Sequence, residues 1–331
     1  MGDHLRIRHA AALGLSFAGL CLLAVLLLPE EALAAEVRRG LRSGFDGIAL
    51  ADGRWLVVTG LLLAGALTGS ALAWRAALRA CGTRCSCVDA VARYSVGSLA
   101  NAVLPARVGG VIRIALFSRL VHAEGAVWTT GGTAAVAGIV RSLWLGVLVA
   151  LASTTGVLPR WPAYVLVAVG CLGIAVARAA LRTRFRARAA HVLDAFGALY
   201  ARPRAAATVT LSIGFSIAAR VAAASTLALA FGVERPLAAG VLVVGAIELA
   251  AILPISPGGA GMTGGAVAFA LTAHGASGAV ALSAGIALAG IETATTVVVG
   301  GLGAAALTLP ALMRWAGVAR APAVAPLPAK D

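Results

Sequence analysis

"LPARVGG" runs from Leu104 to Gly110, and "LPISPGG" from Leu253 to Gly259. Each is Leu-Pro, three further residues and Gly-Gly, set inside a long apolar stretch. Proline removes a backbone donor and glycine tolerates conformations that other residues avoid. Each motif therefore breaks a helix and leaves N–H and C=O groups unpaired. In lipid such backbone persists only where protein buries it or water reaches it. Gly/Pro interruptions at corresponding places in the two halves of a transporter point to its binding site. The plainer alternative is a pair of kinks, since Gly and Pro are common in membrane helices. Two breaks of one spacing, about 150 residues apart, favour a functional pair.

The surroundings of the breaks set the fold class. Hydrophobic residues make up 60% of the 331 and charged residues 12%, with a mean hydropathy of +0.95. A soluble domain carries about 45–50% apolar and about 25% charged residues, so this chain cannot cover its apolar surface with polar groups. Only helices and closed barrels satisfy their backbone in lipid. The apolar runs lack period-2 alternation and are too long for barrel strands. The expectation is an all-α, polytopic membrane protein with about six to seven transmembrane helices and two broken or re-entrant elements. Residues 1–311 form one integral membrane domain, and residues 312–331, ending "APAVAPLPAKD", read as a disordered tail.

A spanning helix takes about 20 apolar residues. Spans are expected over residues 10–28, 55–78, 129–151, 163–177, 206–231, 237–253 and 279–309, with a short apolar piece at 266–273. The first resembles a signal peptide, but its apolar run exceeds the usual h-region of about 7–15 residues. It reads as an uncleaved helix with Arg6 and Arg8, and the N-terminus, in the cytoplasm. Arg75, Arg79, Arg84 and Arg93 put residues 79–93 inside as well. Residues 178–204 hold seven Arg against Asp194, which suits a cytoplasmic loop or a helix lying on anionic headgroups. Residues 30–54 mix acids and bases and read as external. The expected location is the cell membrane.

The net charge of +14 does not imply nucleic acid, because the Arg residues cluster between apolar segments and no nucleic-acid-binding motif accompanies them. "CGTRCSC" (Cys81–Cys87) raises metal binding or S-acylation. No His completes a four-ligand set, so reduced cytoplasmic thiols, no metal and no cofactor are expected.

Charged residues within the apolar stretches carry the functional reading. Arg107 and Arg113 flank the first break, Arg141 and Arg220 lie inside spans, Glu248 precedes the second break, and Glu292 sits in the last span. A charge at the bilayer centre costs about 2.5–3.5 kcal/mol on insertion scales, so it faces a cavity or a partner. Ion pairs holding helices together would explain each of them. A basic, water-filled pocket would explain them jointly. Arginine presents a planar fork suited to bidentate phosphate binding, and helix N-termini add N–H donors. The ligand implied is a lipid with a phosphate-bearing headgroup.

At these residues the chain resembles the flippase-like membrane region of lysylphosphatidylglycerol synthases, in a stand-alone form without a soluble synthase domain. "SLANAVLPARVGGVIRIAL" (Ser98–Leu116) is similar to the family's Asn-x-x-x-Pro-x-Arg-x-Gly-Glu-x-x-Arg signature at Asn101, Pro105, Arg107, Gly109 and Arg113. Arg141 stands where the family has an Arg early in the next helix. "LPISPGGAGMTGGA" (Leu253–Ala266) resembles Pro-x-x-Pro-Gly-Gly-x-Gly at Pro254, Pro257, Gly258, Gly259 and Gly261. Three positions depart from the pattern. Gly110 and Gly264 replace usual acids, and Glu292 stands where an Arg is usual. These bear on substrate and coupling rather than on fold.

The resemblance implies a translocase for an anionic phospholipid or a polyprenyl-phosphate-linked lipid. Arg107, Arg113 and Arg141 would hold the headgroup, with Asn101, Pro105, Gly109 and the backbone of Ser256, Pro257, Gly258, Gly259 and Gly261 orienting it. Glu248 and Glu292 would be counter-charges. Two alternatives stand beside it: an accessory subunit for a separately encoded soluble synthase, and an enzyme on lipid-linked substrates. The enzyme is the weaker, since no nucleophile elbow, metal set or paired loop carboxylates are visible and His274 reads as structural.

Overall fold

The computed structural model describes residues 45–103, 108–121, 125–154, 194–250 and 260–315. Among these there are helices, turns and short connections, and no strand. Besides helical stretches at 45–50 and 194–200, the helices are α1 (Gly53–Ala80), α2 (Cys87–Val103), α3 (Gly109–Ser118), α4 (Ala126–Thr154), α5 (Pro203–Ala230), α6 (Pro236–Ala250), α7 (Ala260–Ala273) and α8 (Gly278–Trp315). Four of them are long and apolar enough to cross a bilayer: α1, α4, α5 and α8. The protein is a polytopic helical membrane protein. The spans expected over 10–28 and 163–177 lie outside the described residues, as do residues 316–331 of the tail expected over 312–331, whose first four residues continue α8 to Trp315.

Local chemistry sets the helix ends. Asp52 caps α1 by accepting the Arg54 N–H at 2.9 Å. Ser86 accepts the Asp89 N–H at 3.0 Å at the start of α2 and donates its hydroxyl to the Asp89 carboxylate at 2.7 Å. Pro203 opens α5, where its missing N–H costs nothing. Gly82 and Gly232, with φ of 87° and 66°, follow the ends of α1 and α5.

The most extensive packing joins α1 to α5. These helices are equal in length, 28 residues each, and run antiparallel in one register. The Asp52 N–H donates to Ala230 O at 3.1 Å at one end, and Arg202 Nη1 donates to Arg79 O at 3.0 Å at the other. Between them Thr59 meets Thr226 at 2.8 Å, and Ser70 meets Ser216 at 2.9 Å. Lipid offers no hydrophobic drive between apolar helices, so close approach of small residues and shared hydroxyls hold such a pair. Gly69 allows the approach, since a Cβ there would lie 2.9 Å from the Phe215 ring and 3.0 Å from Ser212 O.

Two short hairpins enter from opposite ends of this pair. Helices α2 and α3 start and finish at the basic end, where Arg93 Nη1 donates to Leu116 O at 2.7 Å and Phe117 stacks on Trp74 at 5.1 Å. Helices α6 and α7 start and finish at the far end, where His274 Nε2 lies 3.0 Å from Glu234 O. The span read over 237–253 is therefore one arm of a hairpin, 15 residues long. Each hairpin has its own apolar core: Leu78, Phe117 and Ile213 lie in one, Leu227, Val243 and Leu271 in the other. The order long helix, hairpin, long helix thus occurs twice, in opposite directions.

Three of the expected break residues differ from the sequence reading. Gly109 and Gly110 form the first turn of α3, and Gly261 the first turn of α7, so these glycines are helical rather than unwound. Gly109 is required by packing. A Cβ there would strike the Gly97 carbonyl and the Asn101 side chain, whereas one on Gly110 would meet nothing within 4 Å. Gly109→Ala is expected to cost about 1–3 kcal/mol by overpacking. Gly110→Ala should be neutral or stabilise by up to about 1 kcal/mol through helix propensity. Thermal unfolding in detergent separates them, and equal melting temperatures would refute this account of α2–α3 packing.

Candidate functional site

The hairpins converge at mid-length of α1 and α5 on a cavity of about 410 Å³. Helices α1 to α8 all line it. Leu63 and Leu67 come from α1, Tyr94, Ser98 and Asn101 from α2, Arg113 from α3, Arg141 from α4 and Arg220 from α5. Helix α6 supplies Ile247 and Glu248, α7 supplies Met262 and Thr263, and α8 supplies Glu292, Thr293 and Thr296. Three guanidinium groups and two carboxylates face one space, leaving one formal positive charge. An adjoining space of about 20 Å³, room for a single water, touches Arg220, Glu248 and Glu292.

The charges are sorted by partner. Arg141 Nη2 donates to Glu248 Oε1, and Arg220 Nη1 lies 3.5 Å from Glu292 Oε1. These are the two ion pairs among the described residues. Their side chains keep 27% and 21%, and 27% and 36%, of their exposure, so neither pair is dry.

Arg113 differs from both. Its guanidinium lies 3.8 Å from the Tyr94 ring centroid and 5.8 Å from that of Trp74, and Nη2 donates to Ser98 Oγ at 3.0 Å. No carboxylate meets it among the described residues. Its Nε is buried without a hydrogen-bond partner there, and so is Asn101 Oδ1. A cation over aromatic faces is held in place without losing its charge, so Arg113 keeps its capacity for an anion.

Helix periodicity explains how α2 contributes. Tyr94, Ser98 and Asn101 recur at i, i+4 and i+7 and fall on one face. That spacing was visible in the sequence, but only Asn101 was singled out from it. Tyr94, Ser98 and Thr263 are site residues that sequence reasoning missed. Of the residues it named, Asn101, Arg113, Arg141, Glu248 and Glu292 line the cavity together. Gly109 does not line it and serves the α2–α3 contact. Gly261 lies at the start of α7, next to the lining residue Met262. Pro105, Arg107, Pro254, Ser256, Pro257, Gly258 and Gly259 lie outside the described residues.

A family model, the lysylphosphatidylglycerol synthase TM region, matches residues 10–300 of this chain. The chain belongs to this family. Neither the curated proteins nor the solved structures give a match. As a member of the lysylphosphatidylglycerol synthase TM region family it is a multi-pass membrane protein related to lipid modification and flipping. Both signature segments, around Asn101–Arg113 and Pro254–Gly261, fall inside the matched region.

The thiols of "CGTRCSC" stand apart from the cavity. Burial pushes the Cys81 and Cys85 thiols up from their ordinary value, against the nearby Arg202 at Cys81 and with help from Asp89 at Cys85. Both are therefore protonated and poor nucleophiles at neutral pH. No group of three or more His, Cys, Asp or Glu suited to a metal occurs among the described residues.

Proposed function

We propose that the protein moves a lipid between leaflets by binding its phosphate-bearing headgroup in this cavity. The observation that carries the reading is Arg113, held by Tyr94, Trp74 and Ser98 yet free of any carboxylate among the described residues. A phosphodiester carries one negative charge, which matches the one formal positive charge the lining leaves over. Arginine binds phosphate through parallel N–H donors, and the adjacent Ser98 hydroxyl adds a donor. The cavity lies where opposed hairpins meet, the place at which inverted-repeat transporters bind substrate. Arg107, beside the first break, is assigned to the same headgroup, and the acyl chains extend along the apolar faces of α1 and α8. In this reading the protein acts by binding and carrying, and the plasma membrane is its site, with the Arg-rich end inward.

The test is reconstitution into vesicles of phosphatidylcholine containing a little fluorescent-headgroup-free, tail-labelled phosphatidylglycerol. Added dithionite bleaches only outer-leaflet label. With protein, nearly all label should become accessible; without it, about half, the share of one leaflet. Protein-containing vesicles that stop at the protein-free level would overturn translocation. Release of activity only with a co-purifying soluble enzyme would favour the accessory-subunit reading.

A further inference from the structure

We infer that the phosphate bound at Arg113 carries an uncharged polyol, a glycerol or a sugar, and that a wall of threonine hydroxyls in the cavity selects it over amine headgroups. The inference rests on the headgroup reading above and adds the substrate class. Threonines in lipid can satisfy their hydroxyls on their own helix. Thr59, Thr130 and Thr272 do so here, each donating to the carbonyl four residues back at 2.8 Å. Thr263, Thr295 and Thr296 line the cavity, and among the described residues none of the three makes a hydrogen bond. A hydroxyl at membrane depth needs a partner. It both donates and accepts, as the hydroxyls of a polyol do.

Helix register places this wall beside the phosphate site. Helices α8 and α2 run antiparallel, because Gly300 faces Leu99 and Gly303 faces Ala92. Thr296 lies one turn before Gly300 on the same face, which brings it level with Asn101. Asn101 in turn is one turn past Ser98, whose hydroxyl accepts from Arg113 at 3.0 Å. Helix α7 sets Thr263 against α8 through a close glycine contact, since a Cβ on Gly264 would lie 3.3 Å from Gly285 O. At about 30 Å³ per water, a cavity of about 410 Å³ holds much more than one phosphate. Charge disfavours an amine in the remaining room. Both lining carboxylates already pair with Arg141 and Arg220, so an ammonium would enter a net positive space. The lysyl group in the family's name brings such a charge, whereas a glycerol or a sugar brings none.

The experiment is titration calorimetry of the purified protein with dihexanoyl lipids that differ only in headgroup. Phosphatidylglycerol should bind about tenfold more tightly than phosphatidylmethanol, the effect of two ordinary hydrogen bonds. The two lipids share one phosphodiester charge, and phosphatidylmethanol has no headgroup hydroxyl. Lysylphosphatidylglycerol should bind about tenfold or more weakly than phosphatidylglycerol, because like charges meet. Thr263→Val and Thr296→Val keep the shape and lose the hydroxyl. They should bring phosphatidylglycerol toward the phosphatidylmethanol affinity and leave phosphatidylmethanol unchanged. Thr272→Val, whose hydroxyl is spent on Ala268 O, should alter neither. Glycerophosphoglycerol, which lacks acyl chains, should bind far more weakly than the lipid. Equal wild-type affinities for phosphatidylglycerol and phosphatidylmethanol overturn the inference and leave the headgroup reading standing, and so does tighter binding of the lysyl lipid. A preference for phosphatidylglycerol that survives both threonine variants overturns the assignment to the threonine wall. Absence of binding by every phosphodiester, or glycerophosphoglycerol binding as tightly as the lipid, sinks the lipid-headgroup reading and the inference with it. The wild-type comparison decides the matter even if a variant does not fold.

Discussion

Arg113→Ala is expected to weaken binding of a short-chain phosphatidylglycerol by about tenfold to a hundredfold. A hydrogen bond to a charged group contributes about 1.5–3 kcal/mol, and each 1.4 kcal/mol is about tenfold in affinity. The loss should be specific to the fork of donors. Arg113→Lys keeps the charge but cannot offer parallel N–H groups, so it too should bind poorly. Arg204→Ala, at an exposed position in the first turn of α5, should leave binding unchanged. Calorimetry reads all three. If Arg113→Ala binds like wild type and only melts earlier, Arg113 is a packing partner of Tyr94 and Trp74, and the headgroup site lies elsewhere.

The second large effect concerns stability. Removing one member of a buried ion pair costs about 3–5 kcal/mol, because the survivor stays charged without a partner. Arg141 and Glu248 retain 27% and 21% side-chain exposure, so Arg141→Met should cost less, about 2–3 kcal/mol. Arg141→Met with Glu248→Leu should recover most of that loss, since two apolar groups leave no charge stranded. Unfolding midpoints in detergent test the set. Additive losses in the double variant would show that the two residues act independently and that the pair is not what holds α4 to α6.

The sequence made the fold class legible for a simple reason: apolar content of 60% leaves no soluble option. The interruption after Val103 was legible too, because Pro acts on the backbone wherever it stands, but Gly109 and Gly110 belong to α3, and residues 251–259 lie outside the described residues. Hairpin geometry was not. Residues 237–253 are apolar enough to suggest a full crossing, and only the return of His274 to Glu234 places both arms at one end. The ion pairs were equally hidden. Arg141 and Glu248 are 107 residues apart, and Arg220 and Glu292 are 72 apart, so no local pattern joins them. Gly109 was noticed for its freedom of backbone, but its place is fixed by the Gly97 carbonyl across the hairpin. That is a matter of approach distance between two helices, which spacing along the chain does not encode.

The contact between α2 and α8 bears on how the chain is made. Helix α2 settles into a groove cut by two late glycines. A Cβ on Gly300 would lie 2.7 Å from Leu99 Cβ, and one on Gly303 would lie 2.8 Å from Ala92 O. The groove does not exist until the last long helix has been synthesised and inserted. Until then the first hairpin, with Arg113 and Asn101 on it, has α1 and α4 beside it but no wall on its remaining side. The ribosome therefore delivers Arg113 long before the last wall of its cavity. Helix α8 packs on both hairpins, on α2 of the first and α7 of the second, so the cavity's lining is complete only once α8 is present. Chains released before Gly300 would carry unsheltered polar side chains in lipid, a state that membrane quality control can recognise by its exposed charge.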